Sequence, residues 1–408
     1  MELWSRQEYS RVLKIMQSDK IPNVECGDMI IIFIAPHWEK AYPCIRANHN
    51  TSPQGDYPTM NAMNTSTNTD LYGGLDLHGD NVFCALLDAA RNVVFEKRLP
   101  NDLDTVRLAL EPYKERIREL AVESTYNWYW LVDGLKRLGY VVRLANPARM
   151  EENIGLKHAD DRTDARFIAR QLTFGSLPEG YIYPEETRGV RDLLRHRMHM
   201  VHYRTAELSR LSALVARQTG RGVRIAKTAP DGVVAMLGHH ASSVAIAEAG
   251  LRHIEYLDGE IKALEKSVGS QIPDKDAYER LTTVPGIGKI LASCILLETG
   301  PIARFKSAGH YASYCRAVPS DHTSNGKKKG EGNSKSGNRY LAWAYVEAAN
   351  FAVRFSPDLN AWFQRKQRRS RGLRVVVIKA LANKLAKACF FILRDNTDFN
   401  ASRLIGKP

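Results

Sequence analysis

The alternation of apolar and polar positions becomes regular at Leu71. The stretch LYGGLDLHGDNVFCALLDAARNVVFEKRLP reads as a strand, a turn at Gly79-Asp80, and two further strands. DTVRLALEPYKERI has helical apolar spacing, RELAVEST reads as a buried strand, and YNWYWLVDGLKRLG as a helix closing at Gly139. YVVRLANP is another strand, stopped by Pro147. Strands and helices that alternate in this way predict an α/β layer with a mixed sheet.

The pattern then changes period. Leu194, Val201, Leu208 and Val215 recur every seven residues, and Ile254, Leu257, Ile261, Leu264 and Val268 follow a 3-4-3 spacing. Both are heptad seams, interrupted by a Gly/Pro region between Gly220 and Gly238, and they predict an antiparallel helical hairpin. Its seam could also support oligomerisation, or the pair could be a plain helical spacer. From about Ile272 the chain is mainly helical around one long loop. In LTTVPGIGKILASCILLETG a Pro-Gly-Ile-Gly turn precedes an apolar helix; it reads either as a close approach to a nucleic-acid phosphate or as a simple tight turn. The predicted organisation is an atypical extension and linker over 1–70, an α/β domain over 71–180, a coiled-coil region over 181–271 and a helical domain over 272–408. The first part ends in an Asn/Thr/Pro-rich linker, and Met60 or Met63 is an alternative start.

Charge narrows the class of partner. A net charge of +13 over 408 residues favours a polyanion, most simply nucleic acid. The six cysteines form no CxxC pair and no zinc spacing, so free thiols in a reducing cytoplasm are expected. No apolar window of membrane-spanning length occurs, and the run at residues 29–35 is too short, so no membrane partner is expected.

Two sets of residues carry candidate chemistry. The first is acidic. Asp76 lies on the first strand and Glu123 at the end of a later one, both in apolar contexts, while Asp161 and Asp164 stand one helical turn apart. Four converging carboxylates need cations, and Mg2+, a hard ion with oxygen ligands, suits phosphodiester chemistry. Asp160 is placed outside this set on spacing. The second set is basic. HTSNGKKKGEGNSKSGNRY, residues 322–340, holds Lys327, Lys328, Lys329, Lys335 and Arg339 behind two hydroxyls, Thr323 and Ser324. It reads as a loop that holds a phosphate beside a nucleophile, or as a solvated basic loop that only touches DNA. A further segment, residues 362–374, carries Arg365, Lys366, Arg368, Arg369, Arg371 and Arg374 with no acid, which favours phosphate contact over a generic solvated helix face. No base-reading pattern is visible.

GLDLH, VEST and DDRTDARFIA resemble the Asp-Glu-Asp-Asp set of the RuvC-like insertion-sequence transposases of the IS110 family. VPGIGKILASCILLETGPIARFKSAGHYASYCRAVP followed by SNGKKKGEGNSKSGN resembles the second domain of that family, and the motifs run in order from about Tyr72. The resemblance implies an α/β RuvC-like (RNase H-like) domain, then a helical coiled-coil hairpin and a mainly helical C-terminal domain. It implies a DNA transposase and recombinase, guided by a structured non-coding bridge RNA that pairs with donor and target DNA. The catalytic serine of the family falls on Ser324, and its metal-binding carboxylates on Asp76, Glu123, Asp161 and Asp164. Where many members have Ser-Gly or Ser-Ser-Gly, this chain has Ser324-Asn325-Gly326, which keeps Thr323 open as the nucleophile. The spacing to Lys335 and Gly337 favours Ser324. A site shared between the protomers of a homo-oligomer, dimer or tetramer, is implied too. Two other functions fit the residues: a metal-dependent, structure-selective nuclease in which Ser324 is incidental, and a non-catalytic nucleic-acid-binding derivative of a transposase.

Overall fold

The computed structural model describes residues 69–150, 160–238, 240–318, 321–325, 327–331, 336–370 and 372–405. The N-terminal extension, Lys335 and Arg371 lie outside the described residues, as do the side chains of the strands on either side of Asn325.

The first described part of the chain builds a six-stranded mixed sheet. Its strands are β1 (Leu71–Leu77), β2 (Asn81–Asp88), β3 (Val93–Pro100), β4 (Ile117–Glu123), β5 (Val142–Ala145) and β6 (Glu179–Gly180), in the order β3-β2-β1-β4-β5-β6. β1 pairs antiparallel with β2 and parallel with β4, which places it at the centre. Two-sided burial explains the near-continuous apolar runs of β1 and β2. β3, at the edge, is mostly exposed or half-buried and carries Glu96, Lys97 and Arg98, charges that blunt an open edge.

On one face, Leu71, Leu75, Leu77, Leu120, Val122 and Leu144 pack with Val106 and Leu110 of α1 (Leu103–Leu110) and Leu131, Val132 and Leu135 of α2 (Tyr129–Arg137). The helix expected to run through to Ile117 stops at Leu110 and continues as a 3-10 turn, Glu111–Arg116, because Pro112 has no N–H to extend the α ladder. On the other face lies α3 (Asp161–Thr173), with Ala165 and Ala169 against Phe83, Ala85 and Leu87. Gly74 makes this approach possible. A Cβ there would fall on the Ala165 carbonyl oxygen and lie 2.6 Å from Ala169 N.

The heptad seams form two long helices, α4 (Glu185–Thr219) and α6 (Ala241–Ser270), joined through the short α5 (Pro230–Ala235). Their rungs run in opposite directions: Arg197 with Glu265, Arg204 with Asp258, Glu207 with His253, and Gln218 with Ser243. The pair is antiparallel, as the spacing predicts. Its distal half has its own small core around Leu211, Val215 and Ala247. At the proximal end, Val190, Leu194, Met198 and Val268 join the core of the helical domain.

That domain consists of α7 (Lys275–Thr282), α8 (Lys289–Thr299), α9 (Ala308–Tyr314), α10 (Arg339–Phe355), α11 (Pro357–Arg369), α12 (Arg374–Asp395) and α13 (Ala401–Ile405). In the Pro-Gly-Ile-Gly turn, Gly286 has φ +90° and packs on the backbone of Ala348 and Ala352. No helix among the described residues is long and apolar enough to cross a membrane. Cys84, Cys294, Cys315 and Cys389 are buried free thiols.

Candidate active site

The parallel register of β1 and β4 sets Leu75 beside Val122, so Asp76 and Glu123 follow as neighbours at the ends of adjacent strands. Strand alternation turns both toward the face that α3 covers. Asp160 caps α3 by accepting the Thr163 N–H at 2.8 Å, which leaves Asp161 and Asp164 in its first turn, where the helix dipole favours anions. The four carboxylates predicted from the sequence thus share one end of one sheet face, and Asp160 acts as a helix cap.

The electrostatics of this corner are crowded. Asp76 is buried. The Glu123 carboxyl is pushed up to about 8, first by burial, then by its hydrogen bond with Asp76 and by the negative charges of Asp76 and Asp164. Two carboxylates in hydrogen-bond contact need a shared proton or a cation between them. A histidine and an arginine already approach. His78 Nε2 lies 3.0 Å from Asp76 Oδ2 and 3.2 Å from Asp161 Oδ1, and Arg98 donates to Asp161 Oδ2 at 2.6 Å. Donor atoms of Asp76, His78 and Asp161 all fall within 4.8 Å of one another. A donor set of carboxylate oxygens with one imidazole suits a divalent cation.

His78 and Arg98 do not figure in the reading of the sequence. For His78 a signal exists: it follows Asp76 by two, the strand period that keeps side chains on one face. For Arg98 there is none, since it reaches Asp161 from the sheet edge across a separation of 63 residues.

The basic segment differs from its expected form. Instead of a loop, residues Asp321–Ser324 (β7) and Lys327–Glu331 (β8) pair as an antiparallel hairpin, with Ser324 opposite Lys327. The physical reason is written in Asn325-Gly326, a two-residue hairpin turn sequence; Asn325 has φ +51°. Ser324 therefore ends a strand at the turn, and Thr323 precedes it on the same strand.

The two ends of the chain segment that carries this hairpin are tied together. Arg316 Nη2 donates to the Gly337 carbonyl at 2.9 Å, and the Asn338 N–H donates to the Tyr314 carbonyl at 2.6 Å. Asn338 Oδ1 caps α10 by accepting from Tyr340 N and Leu341 N, while its Nδ2 donates to Glu298 Oε2 at 2.7 Å. Glu298 is buried and also receives Arg191 at 3.0 Å and Arg195 at 2.6 Å, both from α4. No local pattern in LLETG announces this role.

Arg339 is exposed at the start of α10 and donates to Tyr340 Oη at 3.1 Å. On α11, Leu359 and Phe363 face the core, and Arg365, Lys366, Arg368 and Arg369 are exposed. Arg374 is only partly exposed; it donates to Asn350 Oδ1 and lies over the Phe363 ring.

Comparison with known proteins identifies both halves. The family described as "Transposase IS116/IS110/IS902 family" matches residues 278–364, and the DEDD family of IS110 transposases matches residues 73–218. A "Probable family 20 transposase" of Pseudomonas aeruginosa is 27% identical over 295 residues, 68% of this chain and 84% of the relative. A "Transposase for insertion sequence element IS1328" of Yersinia enterocolitica is 24% identical, covering 69% of this chain and 85% of the relative. One for IS1111A of Coxiella burnetii is 24% identical, covering 65% and 74%.

Proposed function

Because the chain belongs to the IS110 family of insertion-sequence transposases, we propose that it moves its element by cutting and rejoining DNA through a phosphoserine on Ser324. The observation that carries this reading is the convergence of Asp76, Glu123, Asp161 and Asp164 at one corner of the sheet, within the stretch that matches the DEDD transposases.

The Ser324 hydroxyl loses its proton and attacks a backbone phosphorus; the new Oγ–P bond replaces one P–O bond of the DNA, and the released strand end takes up a proton. Rejoining is the reverse, with a different strand end attacking the phosphoserine, so no bond energy is lost to hydrolysis. The carboxylate corner would hold a divalent ion, Mg2+ by the hardness of its oxygen donors, which supplies Lewis-acid stabilisation of the phosphoryl oxygens. Lys327, Lys328, Lys329, Lys335 and Arg339 surround the serine in sequence and neutralise phosphate charge. The hairpin turn holds Ser324 at the end of its strand, opposite Lys327. Thr323 is the alternative hydroxyl.

Arg365, Lys366, Arg368 and Arg369 of α11, with Arg371 and Arg374, grip donor and target DNA or a structured guide RNA by phosphate contact. Sequence choice falls to base pairing with that RNA. The carboxylates and the serine belong to different parts of the chain, which favours a homo-oligomer, dimer or tetramer, with sites shared between protomers in the cytoplasm.

The test is a DNA substrate that traps covalent intermediates. Wild type forms a protein–DNA adduct that Ser324→Ala loses while DNA binding remains. An adduct that survives Ser324→Ala and disappears in Thr323→Ala relocates the nucleophile. Cation-dependent hydrolysis with no adduct in any variant replaces this mechanism with that of a metal-dependent nuclease.

A further inference from the structure

We propose that His78 is a direct ligand in the metal site of the carboxylate corner, so that this protein binds its ion through mixed nitrogen and oxygen donors and holds Mn2+ more tightly than Mg2+. The inference rests on the transposase reading above, because that reading requires a cation there.

The geometry points to a ligand. Adjacent donors around a six-coordinate ion with bonds of about 2.1 Å stand about 3 Å apart. His78 Nε2 is 3.0 Å from Asp76 Oδ2 and 3.2 Å from Asp161 Oδ1, so a single nitrogen edges two carboxylates from two different elements at that spacing. The three residues form a cluster of potential metal ligands among the described residues.

The backbone of His78 is held on three sides. Its N–H donates to the Asn81 carbonyl at 2.8 Å, which closes the β1–β2 turn. Its carbonyl accepts from Asn101 Nδ2 at 3.0 Å and from Asn127 Nδ2 at 2.9 Å. These amides come from two separate connections, one after β3 and one before α2, and Asn127 is itself held by the Thr125 hydroxyl at 2.9 Å. A turn residue needs no such clamp for the turn alone. The clamp fixes where the imidazole starts and aims it at the acidic corner. The side chain is 45% exposed, so an ion can reach the nitrogen from solvent.

Imidazole changes which ion the site prefers. Mg2+ takes oxygen donors and keeps its waters, whereas first-row transition ions accept imidazole readily. A four-carboxylate site lacks this bias.

The experiment uses the full-length protein with Mn2+ as the probe. Electron spin-echo spectroscopy of the Mn2+-bound wild type should show coupling to an imidazole nitrogen, and His78→Ala should lose it. Titration calorimetry should show Mn2+ affinity reduced about tenfold or more in His78→Ala, with a smaller change for Mg2+. Thermal melts without metal check that the variant is folded. Asp161→Asn should reduce binding of both ions. If Mn2+ binds in an Asp161-dependent way but without nitrogen coupling, His78 is no ligand and only this inference falls. If wild type binds neither ion at the corner, the metal-dependent mechanism falls with it.

Discussion

The side-chain amide of Asn338 donates to Glu298 Oε2 at 2.7 Å, and this bond ties the N-cap of α10 to a buried carboxylate held by two arginines of the long helix α4. Helical domain and coiled pair therefore meet at one ionic centre. Removing the carboxylate while leaving Arg191 and Arg195 in place strands buried charge. Glu298→Ala should cost about 3–5 kcal/mol of stability, measured by denaturant unfolding. Asn338→Ala should cost less, about 1 kcal/mol for the lost helix cap.

Stability should also depend on pH through Glu298. Burial would raise its carboxyl, but the hydrogen bond from Arg195 and the charges of Arg191 and Arg195 outweigh burial and hold it below the ordinary range. A group depressed in the folded state adds stability above its unfolded value and loses it as pH falls through the folded one. Melting temperature should therefore drop on acidification below about pH 4.3. In Glu298→Gln that component of the slope should be missing; an unchanged acid limb would show that Glu298 is not its source.

Gly74→Ala tests the link between packing and site. The added Cβ falls on the Ala165 carbonyl, so α3 must lift from the sheet and carry Asp161 and Asp164 with it. Overpacking of this kind costs about 1–3 kcal/mol. Activity should fall further than the stability loss explains, as read from strand exchange at a temperature where the variant remains folded by circular dichroism. Full activity would mean that the corner tolerates displacement of the helix.

The carboxylate corner should be stabilised by its ion. A ligand at a hundred times its dissociation constant adds about 2.7 kcal/mol. Divalent cation should raise the melting temperature of wild type, and excess chelator should reverse the rise and abolish strand exchange. In Asp76→Asn and Asp164→Asn the metal-dependent rise should vanish. Glu123→Gln should melt no lower than wild type in chelator, because a carboxyl pushed up to about 8 is already mostly neutral near pH 7 and the amide keeps a hydrogen-bond donor.

On α11, replacing Arg365, Arg368 and Arg369 with Gln should weaken DNA and RNA binding regardless of sequence. The slope of log affinity against log salt should flatten by roughly 0.7–0.9 per lost phosphate contact. A salt titration for each ligand measures it. A changed target preference would assign base reading to this helix.

The sequence by itself determined the elements whose signals are local or periodic. Alternation in LYGGLDL and NVFCALLD and the heptads at Leu194 and Ile254 are short-range patterns, and α/β sheet and antiparallel hairpin follow from them. The acidic set was legible for the same reason: Asp76 and Glu123 end strands, and Asp161 and Asp164 share a helix turn. Asn325-Gly326 also announced the β-hairpin, but the density of lysines and glycines around it reads as loop. Tertiary structure alone decided the rest. Pairing of β1 with β4 set Asp76 beside Glu123; α3 packing over Gly74 brought Asp161 to His78 and, from the sheet edge, to Arg98. Glu298 met Arg191 and Arg195 across separations above 100 residues. Such contacts depend on where whole elements dock, and docking is settled by the shape and burial of surfaces, which no short stretch of chain contains.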